Sequence, residues 1–298
     1  MLDYAALSAL AAVIREGSFE RAAQALFVTP SAVSQRIRSL EERVGSALVI
    51  RGQPCRATDT GRRLCQHVDR VRLLEQELQS ALPALAPEGI TRVSLPIAVN
   101  ADSLATWFAP AVAAYAANAP VLVELLVDDQ DHTAEWLRSG AVLAAVTGTS
   151  RPPAGFNSRP LGAMRYIAAA SPEFMARNFS GGVGAGSLAQ APSLVFNTKD
   201  DLQARWVRRL CHRDVELPRH AAPSPHAFVA AALAGMGWGL HPQELIASQL
   251  RDGSLVELMP GTPLDVPLYW QHARAASSLI EGLSRELVAA ATRALWTP

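Results

Sequence analysis

Two short helices separated by a three-residue turn are the feature that most restricts how this chain can fold. Apolar residues lie three and four positions apart in residues 19–26, which predicts a helix with one buried face, and Ser18 is a residue type favoured at helix N-caps. The next helix is predicted to begin at Pro30, because proline is favoured in the first helical turn and Thr29 supplies a capping hydroxyl. The residues between the two helices are too few for anything but a tight turn.

The same spacing assigns the buried faces of the neighbouring helices. In the first helix, which is predicted to stop at Gly17, the buried face consists of Leu7, Leu10, Ala11 and Ile14. In the third helix it consists of Val33, Ile37, Leu40 and Val44. The short polar side chains on its opposite face suit a helix that lies in a major groove of DNA. Residues 48–50 and 56–58 predict a hairpin across residues 52–54, which would be the wing of a winged helix-turn-helix.

Charge supports a nucleic-acid partner only locally. Nine arginines and five acidic residues lie between Arg15 and Arg63, whereas the whole chain has 27 basic and 27 acidic residues. A few arginines are enough to position a protein on phosphates. On these residues alone, three packed helices with no role in DNA binding stay an open alternative.

A resemblance to a known family favours the DNA-binding interpretation. The matching residues are 19–23, 29–37, 40–41, Gly45, Leu48, Arg51 and 58–61, and together they resemble the N-terminal signature of the LysR-type transcriptional regulators. Residues 100–107 and 268–270 resemble the branch of that family that responds to basic amino acids, the ArgP/LysG group. The likeness covers nearly the whole chain.

The candidate DNA-binding residues lie on the third helix and in the wing. Glutamine can pair with adenine, and arginine with guanine or with phosphate. The candidates are Thr29, Pro30, Ser31, Ser34, Gln35, Arg36, Arg38, Arg51 and Arg56.

Four segments are expected along the chain. Residues 1–58 form the winged helix-turn-helix DNA-binding domain, and residues 59–90 form a linker helix, for dimerisation, with a hinge. The helix carries Leu64, Val68, Val71, Leu74 and Leu78. This near-heptad stripe predicts pairing with a second subunit, and packing of the helix on its own domain is the alternative. Residues 91–162 with 268–298 are expected to form lobe I of an effector domain, and residues 163–267 lobe II.

Alternating strands and helices fill these later residues. Strands are predicted at 93–99, 121–127, 143–147, 166–170, 193–196, 237–241 and 268–271. Helices are predicted at 104–117, 133–139, 202–211, 226–234 and 278–295. The alternation indicates a parallel sheet with crossover helices, and by itself it allows one larger sheet. The resemblance implies instead two α/β lobes like those of periplasmic binding proteins, so the fold class is α+β multidomain.

Polar residues at predicted strand ends are the candidates for a ligand site, because open α/β sheets bind ligands at the carboxyl ends of their strands. Asp102 could pair with the ammonium or a cationic side chain of an amino-acid effector, and Ser103 with backbone N–H groups could hold its carboxylate. Asp128 and Asp129, after the second strand, are the better candidates for a distant guanidinium or ammonium, and two solvated aspartates in a surface turn are the alternative. The effector candidates are Asn100, Asp102, Ser103, Asp128, Asp129, Thr147 and His226. His226 is read with His241 as a cleft-wall or core pair.

Enzyme, metal and membrane signals are weak in this sequence. It has no G-x-S-x-G, phosphate-loop or H-E-x-x-H motif, and its histidines and cysteines do not have metal-ligand spacing. The three scattered cysteines and the lack of a signal peptide suggest reduced thiols in a cytoplasmic, nucleoid-associated protein. No apolar run approaches the ~20 residues of a membrane span. No catalytic residue, cofactor or metal is expected.

The functional prediction is a homodimer or homotetramer that binds double-stranded promoter DNA and responds to arginine or lysine. The resemblance implies control of amino-acid export or metabolism genes, with RNA polymerase as a further partner. The main alternative is an effector-independent, chromosome-organising DNA-binding protein. A two-lobed enzyme with an added helical domain is a third hypothesis, for which the sequence offers no convincing general base.

Overall fold

The computed structural model describes residues 3–81, 93–119, 121–128, 136–137, 141–274 and 277–297. The chain has two compact units, an N-terminal unit that extends to Val93 and a C-terminal unit that contains nearly all later residues.

Four helices and a small hairpin make up the N-terminal unit. They are α1 (Tyr4–Glu16), α2 (Phe19–Ala25), α3 (Pro30–Val44), β1 (Val49–Ile50), β2 (Arg56–Ala57) and α4 (Asp59–Ala81). The predicted N-caps are confirmed: Ser18 accepts hydrogen bonds from the Glu20 and Arg21 backbone N–H groups, and Thr29 from that of Ala32. β1 and β2 pair antiparallel, as the predicted wing requires.

The core of this unit lies where the apolar spacing predicted it. The fully buried side chains include Leu7, Leu10, Val33, Ile37 and Leu48. Val44 is the exception, because 39% of it is exposed. It is the last residue of α3, and the left-handed Gly45 (φ 74°) turns the chain away directly after it. The prediction that Val44 belongs to the buried face is therefore wrong.

Side-chain hydrogen bonds join α3, the hairpin and α4. The Glu41 carboxylate accepts hydrogen bonds from the backbone N–H groups of Leu48 (2.7 Å) and Val49 (3.4 Å). The Thr58 hydroxyl donates to the Ala47 carbonyl (2.8 Å) and accepts from the Gly61 N–H (3.1 Å). The hairpin is thereby held at both of its ends.

The described residues of the C-terminal unit form nine strands. They are β3 (Val93–Asn100), β4 (Val121–Asp128), β5 (Ala144–Thr147), β6 (Phe156–Ala170), β7 (Ser193–Val195), β8 (Arg219–Ala221), β9 (Gly239–Pro242), β10 (Val256–Glu257) and β11 (Leu264–Ala273). Seven of them form one sheet in the order β10-β6-β11-β5-β3-β4, in which β9 also pairs with β6. β7 and β8 form a separate parallel pair.

The helices of this unit flank the sheet. They are α5 (Ala101–Ser103), which continues through a π-helical stretch (Leu104–Phe108) into α6 (Ala109–Ala116), then α7 (Pro172–Asn178), α8 (Ala185–Leu188), α9 (Leu202–Cys211), α10 (Pro225–Leu233), α11 (Ala247–Asp252) and α12 (Ser277–Ala294). The helix predicted at 104–117 thus begins earlier, directly after β3. Of the helix predicted at 133–139, only 136–137 are described, and both are helical.

Two long strands, β6 and β11, connect the two lobes. Their antiparallel register runs from Phe156 opposite Ala273 to Tyr166 opposite Leu264. One end of this ribbon pairs with β5 in the first lobe (β3–β5, α5, α6 and α12), and the other with β9 and β10 in the second lobe (β7–β10 and α7–α11). The sheet is therefore mixed, because a chain that crosses twice between lobes brings its long strands together antiparallel. The two-lobed fold that the resemblance implied is confirmed.

Replacing Gly61 with alanine tests the packing of α4 against the hairpin. A Cβ at Gly61 would lie 2.1 Å from the Leu48 carbonyl oxygen, so Gly61→Ala is expected to destabilise the N-terminal unit by about 2–4 kcal/mol. Urea unfolding of the full chain, followed by far-UV circular dichroism, measures this. Gly52→Ala is the matched control, because its Cβ would meet only the Pro54 carbonyl oxygen, at 3.6 Å. Equal stability of the two variants would contradict the analysis.

Candidate functional site

The outer face of α3 presents most of the residues predicted to contact DNA. Thr29, Pro30, Ser31, Gln35 and Arg38 are exposed. Ser34 and Arg36 are half-buried on the same helix. The Thr29 and Ser31 hydroxyls lie 2.9 Å apart at the N-terminus of α3. The outer face of α3 therefore carries a row of hydrogen-bonding side chains that begins at the N-terminal turn of the helix.

The two predicted wing arginines are also exposed. Arg51 places its guanidinium 5.4 Å from the centre of the Phe19 ring, so a cation–π contact ties the end of β1 to α2. Arg56 begins β2. Neither arginine, nor Arg36 or Arg38, forms an ion pair with a residue that the structure describes. All four positive charges are thus available for phosphates.

A cavity in the C-terminal unit lies between the two lobes, at the end of β3. Together with the solvent at its opening it measures about 630 Å³. Asn100, Ala101 and Asp102 supply the wall from the first lobe, and residues from α9, α10 and the β9 region supply the other wall. This is the carboxyl-end position at which ligands of open α/β sheets bind.

Asp102 is held in place by a side chain from the crossing strands. The Tyr166 hydroxyl donates a 2.7 Å hydrogen bond to its carboxylate, and Tyr166 itself is completely buried. Ser103 is also fully buried, and its hydroxyl has no hydrogen-bond partner among the described residues. Asn100 is buried where β3 passes into α5. Of these three predicted effector residues, Asn100 and Asp102 line the cavity, and the adjacent Ser103 does not.

Among the described residues that line this cavity, the side chains charged at neutral pH are all acidic. Besides Asp102 they are Asp200 and Asp201, at the N-terminus of α9. The Asp200 carboxylate accepts hydrogen bonds from the backbone N–H groups of Phe196 (2.8 Å) and Leu202 (3.1 Å). The Asp201 carboxylate lies 3.6 Å from the Arg205 guanidinium, so part of this negative charge is already paired. Neither Asp200 nor Asp201 was among the predicted effector residues, although an Asp-Asp pair before the predicted helix 202–211 resembles the pattern used for Asp102. The carboxylates make the cavity suited to a cation.

His241 closes the cavity wall as a neutral group. Complete burial in the second lobe lowers the pKa of His241 to about 4, because the imidazolium would lose its hydration. Its ring packs edge-on against Phe228, with 5.0 Å between the ring centres. His226 lies exposed on α10 and is not among the lining residues, whereas Pro225 and Phe228 of the same helix are. The two histidines therefore do not form a pair.

The remaining predicted effector residues are Thr147, Asp128 and Asp129. Thr147 is buried at the end of β5, where its hydroxyl donates to the Thr149 carbonyl (3.0 Å), and it does not line the cavity. The Gln271 amide donates to the same carbonyl (2.7 Å). Strand β4 ends at Asp128, and Asp129 falls outside the described residues.

Other chemistries find little support in the described part of the chain. No group of three histidine, cysteine or carboxylate side chains there could hold a metal ion. Cys55, Cys65 and Cys211 are not in disulfides. Within the described ranges, no helix has both the length and the apolar character that crossing a bilayer requires.

Comparison with known proteins identifies related sequences and structures. Residues 4–62 match the bacterial regulatory helix-turn-helix protein, lysR family, and residues 91–292 match the LysR substrate binding domain. The HTH-type transcriptional regulator ArgP of Pseudomonas fluorescens is 48% identical, over 96% of this chain and 95% of that protein.

Two solved structures show the same arrangement along the chain. The crystal structure of ArgP from Mycobacterium tuberculosis is 44% identical with a TM-score of 0.86, and the match covers 100% of both chains. Full-length LysG from Corynebacterium glutamicum with the bound effector arginine is 36% identical with a TM-score of 0.74, and the match covers 99% of this chain and 100% of that one.

The burial of His241 predicts a specific dependence of stability on pH. Above pH 6.5 the imidazole is neutral in both states, and between pH 6.5 and about 4 only the unfolded state takes up the proton, so stability falls as the pH falls. Wild type should lose roughly 3 kcal/mol more than His241→Gln between pH 7 and pH 4. Denaturant unfolding at several pH values, followed by tryptophan fluorescence, measures the difference. Parallel curves for the two proteins would show that His241 is solvated or charged in the folded state.

Proposed function

Because the chain belongs to the LysR family of transcriptional regulators, which are not enzymes, we propose that it binds promoter DNA under the control of a basic amino acid, arginine or lysine. The family resemblance drawn from the sequence, including its ArgP/LysG branch, is confirmed by these matches. The identity of the effector, the target genes and the residues that contact DNA are what we propose.

The acidic lining of the interlobe cavity carries the proposal for the effector. Asp102, Asp200 and Asp201 line it, and lysine and arginine do not. A ligand with a guanidinium or an ammonium would neutralise these charges, while its methylene groups would lie against apolar wall residues such as Phe228 and Leu240. The arginine bound to the related LysG supports the same class of ligand.

Asp102 and the start of α5 would bind the two charged groups on the α-carbon of the effector. The phenol of Tyr166 fixes the Asp102 carboxylate, so little conformational freedom is lost when the carboxylate pairs with the α-ammonium. The effector carboxylate would be held by the buried Ser103 hydroxyl and by N–H groups at the helix N-terminus. Asp200 and Asp201 would then face the distal cationic group.

Regulation would act through a choice between arrangements of the two lobes. The cavity takes its walls from both lobes, so a ligand that contacts both walls favours one arrangement over another. We propose that this choice alters how a pair of DNA-binding units is presented to DNA. A dimer through α4 is supported by the half-exposed Leu74 and Leu78, which lie one helical turn apart.

The remaining details of the sequence prediction stay part of this proposal. The regulated genes would serve amino-acid export or metabolism, RNA polymerase would be a partner, and the protein would act in the cytoplasm at the nucleoid. The DNA-binding domain would span residues 1–58, the linker 59–90, the first lobe 91–162 with 268–298, and the second lobe 163–267.

Thermal stability tests the effector. Arginine or lysine should raise the Tm of the full chain, because a ligand that binds only the folded state stabilises it by mass action. Asp102→Asn should weaken this binding about 10- to 100-fold, since it removes a charge-assisted hydrogen bond. Asp214→Asn is the matched control, because Asp214 is exposed and does not line the cavity. If neither amino acid changed the Tm or the DNA footprint, the effector-independent alternative would be favoured.

Binding to DNA tests the roles of α3 and the wing. Gln35→Ala should reduce discrimination at one base pair by about 1–3 kcal/mol, because its amide would read a base edge. Arg56→Ala should weaken binding to all sequences and lower the slope of log Kd against log salt by about 1. Fluorescence anisotropy with operator and scrambled duplexes at several salt concentrations separates the two effects. Arg251→Gln, on exposed α11, is the control, and an effect of Arg56→Ala on specificity alone would contradict the assignment.

A further inference from the structure

A second cavity lies beside the first and carries charges of both signs. Together with the solvent at its opening it measures about 770 Å³, and Pro242 borders both cavities. Thr106, from the π-helical stretch, and Arg293 line it from the first lobe. Glu244 and Ala247 line it from the second lobe. It is therefore a second space, open to solvent, that both lobes border.

Glu244 and Arg293 have no ion-pair partner in the part of the chain that the structure describes, and they do not pair with each other. Both side chains are exposed, although the partial burial of Glu244 raises the pKa of its carboxyl group. Two opposite charges on the walls of one cavity, separated by open space, are complementary to a ligand that carries an ammonium and a carboxylate.

The adjoining wall of this cavity is rigid before any ligand arrives. The Arg165 guanidinium forms two parallel 2.8 Å hydrogen bonds with the Asp265 carboxylate. The same guanidinium stacks on the Trp296 ring, 3.7 Å from its centre. Because Asp265 already occupies Arg165, Arg293 is the cation that can receive a carboxylate.

Backbone pairing fixes the C-terminal segment that contributes Trp296. Its N–H donates to the Ala163 carbonyl (2.9 Å), and its carbonyl accepts from the Ala163 N–H (2.8 Å). This approach depends on Gly162, which has φ +119° and whose Cβ would lie 2.9 Å from the Trp296 carbonyl oxygen. The segment is thereby joined to β6, the strand that crosses between the lobes.

We propose that this second cavity binds a small zwitterion of the α-amino-acid class, with Glu244 holding its ammonium and Arg293 its carboxylate. The first cavity is lined by acidic groups and selects a cationic side chain, whereas the second recognises only the charges that all amino acids share. Since α12 packs on the first lobe, through Trp270 donating to Ser284 (2.8 Å), a zwitterion between Arg293 and Glu244 would connect the lobes. Binding of this zwitterion would be a second influence on the equilibrium between arrangements of the two lobes.

Isothermal titration calorimetry of the full chain with L-glutamine and L-leucine tests this site. Both probes are zwitterions without a cationic side chain, so they should avoid the first cavity. At least one should bind with one equivalent per chain, in wild type and in Asp102→Asn alike. Glu244→Gln and Arg293→Gln should each weaken that binding at least about tenfold. L-leucinamide and N-acetyl-L-leucine, which each lack one of the two charges, should bind correspondingly weakly.

Matched controls and contrary outcomes make the test decisive. Glu286→Gln and Arg251→Gln change exposed residues outside this cavity and should leave zwitterion binding unaltered. Absence of saturable binding by both probes up to about 10 mM, or binding that survives both cavity substitutions, would overturn the proposal. Arginine carries the same two α-charges, so Asp102→Asn separates the two proposals. Failure of the zwitterion test leaves the Asp102-dependent part of the arginine response intact, and an arginine response that is equal in wild type and Asp102→Asn overturns only the effector proposed for the first cavity.

Discussion

The antiparallel pairing of β6 with β11 is the constraint on which the C-terminal unit depends. Each strand crosses from one lobe to the other, so their register fixes what the lobes can bring together. Tyr166 lies where β6 pairs with both β11 and β9, and from there its hydroxyl reaches Asp102 on α5. One residue before it, Arg165 is held by Asp265 of β11. Of these adjacent residues, Arg165 lines the second cavity and Tyr166 orients Asp102 of the first, because successive side chains of a strand point to opposite faces.

The chain is neutral overall, but charges of opposite sign are concentrated at its two proposed binding sites. Exposed arginines without ion-pair partners among the described residues lie on α3 and the hairpin, whereas the charged groups of the first cavity are acidic. The net charge of the chain therefore does not indicate its ligands, because the electrostatic field at each site comes from the charged groups near that site. The DNA-binding face and the proposed effector site attract ligands of opposite sign.

Local sequence signals predicted local structure well, and long-range contacts account for what they missed. The caps at Ser18 and Thr29 and the helix Leu202–Cys211 depend on neighbours within a few residues, which the sequence displays. The full length of β6 and β11 depends on pairing between residues about a hundred positions apart, and only short parts of both strands were predicted. The Tyr166 contact with Asp102 likewise joins residues 64 positions apart. The strand end at which the cavity lies was predicted from the sequence, but most of the opposite wall of that cavity was not.

The Asp102–Tyr166 hydrogen bond also offers a way in which the proposed effector would bias the arrangement of the lobes. It joins α5, which follows β3 in the first lobe, to a residue whose neighbours in the sheet, Pro242 and Leu264, belong to or lead from the second lobe. An effector can shift an equilibrium only by the difference between its affinities for the two arrangements. An ammonium would pair best with Asp102 in the arrangement in which Tyr166 still orients the carboxylate. The proposed effector would therefore bind more tightly to the arrangement that keeps this hydrogen bond, and by linkage that difference in free energy limits how far the effector can change the affinity for DNA.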